Sequence, residues 1–297
     1  MSRKIVLQLI VSLAVLTIAI VPGVSAQDAT PTTEGKYASV NGLELYYEIH
    51  GTGEPLILLH GGLGGIVEFA QLLPALAETR QVIAVELQGH GHTADIERPL
   101  SYEAMADDIA AFIEQLGYQQ ADILGFSLGG GVALQTVIRH PDVVRKVVLI
   151  STPYKRSGIH AEFLAGMAAM SAEAADAMQQ TPMYQYYSSV APKLEDWPTF
   201  IGKVGDMMRQ DYDWTEDVKK ITTPTLIVAG DSDQIAPAHA VEMFGLLGGG
   251  VAGGMVAPIQ NQLAILPNTI HFTILSRTDL LLPIITAFLD APPAAAS

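Results

Sequence analysis

The chain has 297 residues, of which 49% are hydrophobic and 16% are charged, and its formal net charge is −15. The length suits one large α/β domain or two small ones, and the composition is typical of a well-packed core rather than of disorder. A strongly negative surface repels phosphates, so we expect neither nucleic acid nor an anionic membrane surface as a partner. The lack of cysteine excludes disulfides, thiolate metal sites and a cysteine nucleophile.

The N-terminus has the layout of a secretory signal peptide. The basic segment MSRK precedes the apolar run IVLQLIVSLAVLTIAIV, and small residues follow up to Ala26. We therefore predict a signal peptide over residues 1–26, a disordered lead-in over 27–35, and export to the periplasm or the extracellular space without lasting membrane anchoring. An uncleaved anchor is the alternative, although the run is shorter than the ~20 residues that a spanning helix needs.

From residue 36 onward, strand patterns alternate with helix patterns. Strands are predicted at 43–49, 55–61, 81–87, 121–126, 146–151, 223–230 and 262–266. Helices are predicted at 67–79, with a kink at Pro74, and at 101–117, 128–140, 237–247 and 279–290. This alternation predicts an α/β fold with a mostly parallel, doubly wound sheet, in which ligands bind at the carboxyl ends of the strands.

Residues 155–220 interrupt the alternation. They are helical in composition and contain both tryptophans and six of the ten methionines. We predict a helical cap there, between core segments 36–154 and 221–290, with 291–297 as a flexible tail. Most apolar cap residues should pack the cap itself, while those on its underside should line an adaptable apolar pocket. The glycine-rich segment 245–258 is predicted to be a loop, and no chemistry is assigned to it.

Residues 125–129 read Gly-Phe-Ser-Leu-Gly and lie between a predicted strand and a predicted helix. This setting identifies Ser127 as the nucleophile of a strained strand–turn–helix elbow. Side chains at positions 125 and 129 would collide with the turning backbone, which explains the glycines. The alternative is a flexible glycine-rich turn without chemistry.

A serine nucleophile needs a base, and the base needs an orienting acid. In this architecture the expected chain order is serine, acid, histidine. His271 follows the strand at 262–266 and is the predicted base. Asp231 and Asp233 follow the strand at 223–230, and the spacing from Gly230 to Pro237 favours Asp233.

The oxyanion hole of such an enzyme needs two backbone N–H donors. Leu128, directly after the nucleophile, should supply one, and the loop HGGLGG at 60–65 should supply the other. Gly62 is our choice, ahead of its neighbours Gly61 and Leu63. A phosphate-cradling loop is not favoured, because the lysine and hydroxyl residue of a P-loop are missing.

Four further histidine positions are predicted to be structural. His60 should be buried and brace its loop. His90 and His92 suggest a metal site, but alternate residues of an extended loop point apart and no carboxylate or thiol cluster accompanies them, so a turn is preferred and no metal is predicted. His239 falls inside a predicted helix.

Over residues 36–290 the chain resembles the α/β-hydrolase superfamily. The resemblance is carried by His60-Gly61-Gly62, Gly89-His90-Gly91, Gly125-Phe126-Ser127-Leu128-Gly129, Gly230-Asp231-Ser232-Asp233 and His271. It implies the α/β-hydrolase fold, a Ser127–Asp233–His271 triad, an acyl-enzyme and no cofactor. Family members acting on alkyl halides or epoxides carry aspartate at the elbow, so Ser127 argues against those reactions. Gln88 departs from the arginine that many relatives have there, which affects strand-end packing rather than chemistry.

The expected activity is hydrolysis of small to medium apolar carboxylic esters, with a small ester-like molecule as the partner. The same triad also serves C–C bond hydrolases, N-terminal proline peptidases, acyltransferases and perhydrolases. An acidic cap residue would favour a peptidase, and Glu195, Asp196 and Asp206 are candidates, although merely solvated charges are the preferred explanation. A ligand-binding receptor with a slow or silent triad is the alternative from another class.

Overall fold

An eight-stranded sheet organises residues 34–252 and 260–292, which are the residues described by this computed structural model. Its strands are β1 (Lys36–Val40), β2 (Leu43–His50), β3 (Glu54–Leu59), β4 (Arg80–Val85), β5 (Ala121–Phe126), β6 (Val144–Ile150), β7 (Thr225–Gly230) and β8 (Gln262–Leu266). The order is β1-β2-β4-β3-β5-β6-β7-β8; the β1–β2 and β2–β4 pairs are antiparallel, and the other five pairs are parallel. The predicted signal peptide, and parts of the lead-in, tail and glycine-rich loop, lie outside the described residues.

Helices cover both faces of the sheet, as the alternation predicts. They are α1 (Leu73–Ala77), α2 (Tyr102–Gln115), α3 (Leu128–Arg139), α4 (Ala161–Ala168), α5 (Pro182–Val190), α6 (Trp197–Arg209), α7 (Thr215–Val218), α8 (Pro237–Leu246) and α9 (Thr278–Asp290). No helix within the described ranges is long and apolar enough to cross a membrane.

The continuous helix predicted over 67–79 is wrong. The chain forms a 3-10 turn, Ile66–Phe69, and then the short helix α1. Pro74 lies in the first turn of α1, where its missing N–H is tolerated. Within a longer helix, its ring would clash with the carbonyl four residues earlier and its missing N–H would remove a hydrogen bond, so a new helix start is favoured at this position.

Two apolar cores lie on opposite faces of the sheet, because successive strand residues point to opposite sides. On β3, Ile57 and Leu59 face the core that includes α2 and α3, whereas Leu56 and Leu58 face the core that includes α1 and α9. All four side chains are fully buried, as expected of a parallel strand covered on both faces.

Between β6 and β7 the chain forms helices α4 to α7, and we call residues 155–220 the cap. Trp197 is almost fully buried and packs against rings of the cap itself, those of Tyr184, Tyr187 and Phe200. Its indole N–H donates to the carbonyl of Ala175 at 3.1 Å. Trp197 therefore stabilises the cap itself, whereas Trp214 and Phe200 also contact rings of the core, those of Tyr102 and His90.

Candidate active site

Ser127 occupies a strained turn between β5 and α3. Its φ of 52° and ψ of −114° are unfavourable for a residue with a side chain. A Cβ on Gly125 would lie 2.3 Å from the carbonyl oxygen of Gly129, and a Cβ on Gly129 would lie 2.3 Å from that of Leu59. Backbone atoms cannot yield to such contacts, so both positions require glycine. The segment is a tightly packed elbow and not a flexible turn.

The structure brings three of the predicted side chains into one hydrogen-bonded row. The Nε2 atom of His271 lies 3.0 Å from Ser127 Oγ, and Nδ1 lies 2.7 Å from Asp233 Oδ1. With the proton on Nδ1, His271 donates to the carboxylate and accepts from the serine hydroxyl. The three residues come from the carboxyl ends of β5, β7 and β8, which explains why distant sequence segments meet here.

Asp233 is held as a carboxylate by its surroundings. Burial alone raises its pKa, but hydrogen bonds from His271, the Ser151 hydroxyl and the Gly230 N–H outweigh that effect and hold the pKa below its usual range. Asp231 is exposed and instead accepts the backbone N–H groups of Asn268 and Thr269 at 2.8 and 3.1 Å. Asp231 thus stabilises the loop that leads to His271, and Asp233 alone of the two contacts the imidazole.

A cavity of about 250 Å³ opens beside Ser127 and His271. Apolar side chains from the core and from the underside of α5 line it: Val67, Phe126, Pro182, Met183 and Phe272. Glu195, Asp196 and Asp206, the acidic cap candidates, are not among the described residues that line this cavity. The site is therefore an apolar pocket next to a hydrogen-bonded serine.

Gly62 follows β3 and Leu128 follows β5, so both lie at the edge of the sheet where this cavity opens. Leu128 is the first residue of α3, so its N–H is among those that lack an intrahelical acceptor. A Cβ on Gly62 would contact the Leu128 side chain at 3.4 Å, which places the two residues side by side. The Gly61 N–H donates to Glu68 Oε2 at 2.6 Å, so it is not available to bind a substrate oxygen.

The sequence reasoning missed Glu68, a half-buried residue that lines the cavity. Burial raises the pKa of its carboxyl to about 7, and the hydrogen bond from Gly61 opposes that rise. A Cβ on Gly64 would lie 2.4 Å from the carboxyl group, so this glycine leaves room for it. The run of glycines was the available signal, but a predicted continuous helix around Glu68 gave no reason to place it in a site.

Glu86, also unassigned from the sequence, joins the core to the cap. It is fully buried at the end of β4 and accepts the His92 N–H at 2.6 Å and the hydroxyl of Tyr186 from α5. Burial alone raises the pKa of Glu86, but hydrogen bonds from His92 and Tyr186 outweigh it and lower the pKa. The ring of Tyr186 in turn lies over Gly65, where a Cβ would be 2.4 Å away.

The other histidines have structural contacts. His60 is fully buried, and its Nε2 accepts the Leu87 N–H at 3.1 Å. His90 is also buried, which lowers its pKa to about 3. His239 stacks on Tyr154 with ring centroids 4.2 Å apart. In residues 34–252 and 260–292, no group of three potential ligands is arranged to hold a metal ion.

Comparison with known proteins gives the same fold. A sequence profile of the α/β-hydrolase fold matches residues 54–185. The 2-hydroxymuconate semialdehyde hydrolase of Pseudomonas sp. (strain CF600) is 37% identical over 109 residues, which cover 34% of this chain and 38% of that relative. Serine hydrolase BPHL of Mus musculus is 28% identical over 214 residues, covering 70% of this chain and 73% of the relative.

A solved structure, a thermophilic esterase from Thermogutta terrifontis, superimposes with a TM-score of 0.68 at 20% identity and covers 86% of this chain and 98% of the esterase. At this identity the likeness concerns the fold alone. The match to the semialdehyde hydrolase spans well under half of that relative's length. Substrate and reaction must therefore be argued from the site itself.

Proposed function

Because the chain belongs to the α/β-hydrolase superfamily, we propose that it is a serine hydrolase that cleaves small to medium apolar carboxylic esters through an acyl-enzyme. One observation carries the proposal. The hydrogen-bonded row Asp233–His271–Ser127 ends in a strained serine that borders an apolar cavity. A merely structural serine would need neither the strain nor the buried carboxylate behind the imidazole.

In the proposed acylation step, Ser127 Oγ attacks the ester carbonyl carbon while His271 Nε2 takes the hydroxyl proton. The carboxylate of Asp233 stabilises the imidazolium that forms and keeps its tautomer fixed. The backbone N–H groups of Gly62 and Leu128 bind the negatively charged carbonyl oxygen. When the carbon–oxygen bond to the alcohol breaks, His271 returns its proton to the departing alcohol.

Deacylation repeats these roles with water. His271 Nε2 removes a proton from a water molecule, whose oxygen attacks the acyl carbon and forms a second tetrahedral intermediate. Collapse of this intermediate releases the carboxylic acid and returns the proton to Ser127 Oγ. No cofactor enters either step.

The cavity supports an apolar substrate of limited size. Its volume of about 250 Å³ is just below the range of roughly 300–1,000 Å³ that ligand pockets span. Met183 contributes an unbranched, adaptable side chain, so chains of somewhat different length can be accommodated. We expect short acyl chains to be turned over faster than long ones.

Hydrolysis of p-nitrophenyl esters from acetate to palmitate by the purified protein tests this proposal. Turnover should peak at short acyl chains and fall to background in Ser127→Ala, whose far-ultraviolet circular dichroism should match that of the unmodified protein. No turnover with any ester would contradict the proposal. It would favour a C–C bond hydrolase, an aminopeptidase, an acyltransferase, a perhydrolase or a receptor with a silent triad.

We also propose that the protein is exported, and this proposal rests on its N-terminal sequence alone. Intact mass of the protein recovered outside the cytoplasm should correspond to a chain that begins after Ala26. Recovery of the full-length chain from the membrane fraction would favour the uncleaved anchor instead.

A further inference from the structure

The carboxyl group of Glu68 borders the cavity without a cationic partner. Its Oε2 accepts the Gly61 N–H at 2.6 Å, and no lysine, arginine or histidine of the described residues forms an ion pair with it. The glycine at position 64 preserves the space that this carboxyl group occupies. A carboxylate in a pocket with apolar walls is poorly compensated, and a cationic ligand would compensate it.

The other titratable groups lining the cavity have partners. His271 is hydrogen-bonded to Ser127 and Asp233, and the hydroxyl of Tyr186 donates to Glu86. The remaining walls are backbone or apolar side chains. Burial raises the pKa of Glu68 to about 7, and the hydrogen bond from the Gly61 N–H offsets that rise only in part. The net charge of −15 also attracts cations to the protein as a whole.

We propose that Glu68 is a specificity-determining residue that favours esters with a cationic group close to the reacting carbonyl; this inference rests on the proposed ester hydrolysis. Glu68 binds the N–H of Gly61, and the next residue, Gly62, is the proposed oxyanion donor. Gly61 and Gly62 are adjacent, with Cα atoms about 3.8 Å apart, so a substrate carbonyl bound at the Gly62 N–H lies one residue along the loop from the contact with Glu68. A cation on a short acyl chain, or on a short alcohol, can therefore reach Glu68.

Glu68→Gln separates charge recognition from loop support. The glutamine amide keeps an oxygen that can accept the Gly61 N–H, and it has nearly the same shape, but it carries no charge. Glu195→Gln is the matched control, because Glu195 is an exposed cap carboxylate outside the residues that line the cavity. Both variants remove one negative charge from the protein.

Two isosteric substrate pairs measure the selectivity. The first compares the p-nitrophenyl ester of γ-trimethylammoniobutyrate with the analogue in which a quaternary carbon replaces the nitrogen, and it probes the acyl side. The second compares butyrylcholine with its neutral carbon analogue and probes the alcohol side. The quantity of interest is the ratio of kcat/KM for the cationic ester to kcat/KM for the neutral ester, in which effects common to both esters cancel.

We expect the unmodified protein to prefer the cationic member of at least one pair, and Glu68→Gln to lower that ratio by about tenfold or more. Glu195→Gln should leave the ratio unchanged. A ratio near one in the unmodified protein for both pairs would overturn the proposal. So would an equal loss of both members of a pair in Glu68→Gln, because that result would assign Glu68 to loop support only.

Binding measurements keep this inference distinct from the proposed function. Should no ester be turned over, ester hydrolysis fails, and calorimetric titration of Ser127→Ala with the methyl ester of γ-trimethylammoniobutyrate still decides on Glu68. Binding that weakens about tenfold when Glu68→Gln is added supports the cation site. Binding that is absent, or is unaffected by Glu68→Gln, overturns it.

Discussion

Replacement of Asp233 by asparagine tests both the triad and the choice of acid. Each carboxylate oxygen accepts a backbone N–H, Oδ1 from Ile235 at 3.3 Å and Oδ2 from Gly230 at 3.2 Å. An asparagine has only one oxygen, so its NH₂ group replaces either Oδ2 or Oδ1. In either orientation a buried backbone N–H loses its acceptor, that of Gly230 or that of Ile235, at a cost of about 1–3 kcal/mol. The Oδ1 position also faces Nδ1 of His271, so an NH₂ group there holds the imidazole in the wrong tautomer.

The expected loss of kcat in Asp233→Asn is about 10⁴-fold, the size associated with a fixed wrong tautomer in serine proteases, or ~5 kcal/mol of transition-state stabilisation. Steady-state hydrolysis of p-nitrophenyl butyrate measures it, and urea unfolding measures the cost in stability. Asp231→Asn is the matched control, since that carboxylate is exposed and contacts only the loop before His271. A kcat for Asp233→Asn within tenfold of the unmodified protein would refute the reasoning. An equal loss in Asp231→Asn alone would reassign the acid.

Three further predictions concern packing and charge. Gly125→Ala should lower both ester turnover and soluble yield, because the new Cβ would lie 2.3 Å from a backbone oxygen. Gly245→Ala is the control: its Cβ would have open space around it, and the substitution should raise the free energy of unfolding by about 0.5–1 kcal/mol. Equal behaviour of the two variants would contradict the elbow packing. Tyr186→Phe removes a donor to buried Glu86 and should lower the free energy of unfolding by about 1–3 kcal/mol in urea; an unchanged value would show that this contact contributes nothing. Burial raises the pKa of Glu68 from 4.5 to about 7, so its contribution to stability is present at low pH and is lost as pH rises through that interval. Relative to Glu68→Gln, the unmodified protein should lose about 3 kcal/mol between pH 4.5 and pH 8, and parallel pH profiles would refute the shift.

The sheet could be predicted because its central strands are uniformly apolar runs bounded by turn residues. The strand predicted at 121–126 has the same bounds as β5, all of whose residues are buried. The edge strand β8 was also predicted with its observed bounds, because its sequence QLAIL is mostly apolar although only Leu266 is buried. The edge strand β1 was not predicted, since its sequence KYASV mixes charged, polar and apolar residues. The helix predicted over 67–79 failed because a proline in a run of good helix formers was treated as a kink rather than as a new start.

Site residues could be predicted where their positions follow from the order of the strands. They could not be predicted where they depend on which way a side chain points in the folded structure. Ser127, His271 and Asp233 follow strands whose carboxyl ends must share one edge, so their proximity follows from topology. The contact of Tyr186 with Glu86 joins residues 100 positions apart through the cap, whose placement no local pattern encodes.

The loop at 60–65 shows that the number of glycines in a motif does not give the number of oxyanion donors. The sequence predicts one oxyanion donor from this loop, whereas in the structure three of its four glycines have a close neighbour of their own. Gly64 leaves space for the Glu68 carboxyl, Gly65 for the ring of Tyr186, and Gly61 lies 2.9 Å from the ring of Phe126 at its Cβ position. At Gly62 the nearest atom is 3.4 Å away, an ordinary contact. Steric need thus explains Gly61, Gly64 and Gly65, whereas it does not explain glycine at position 62, the proposed oxyanion donor.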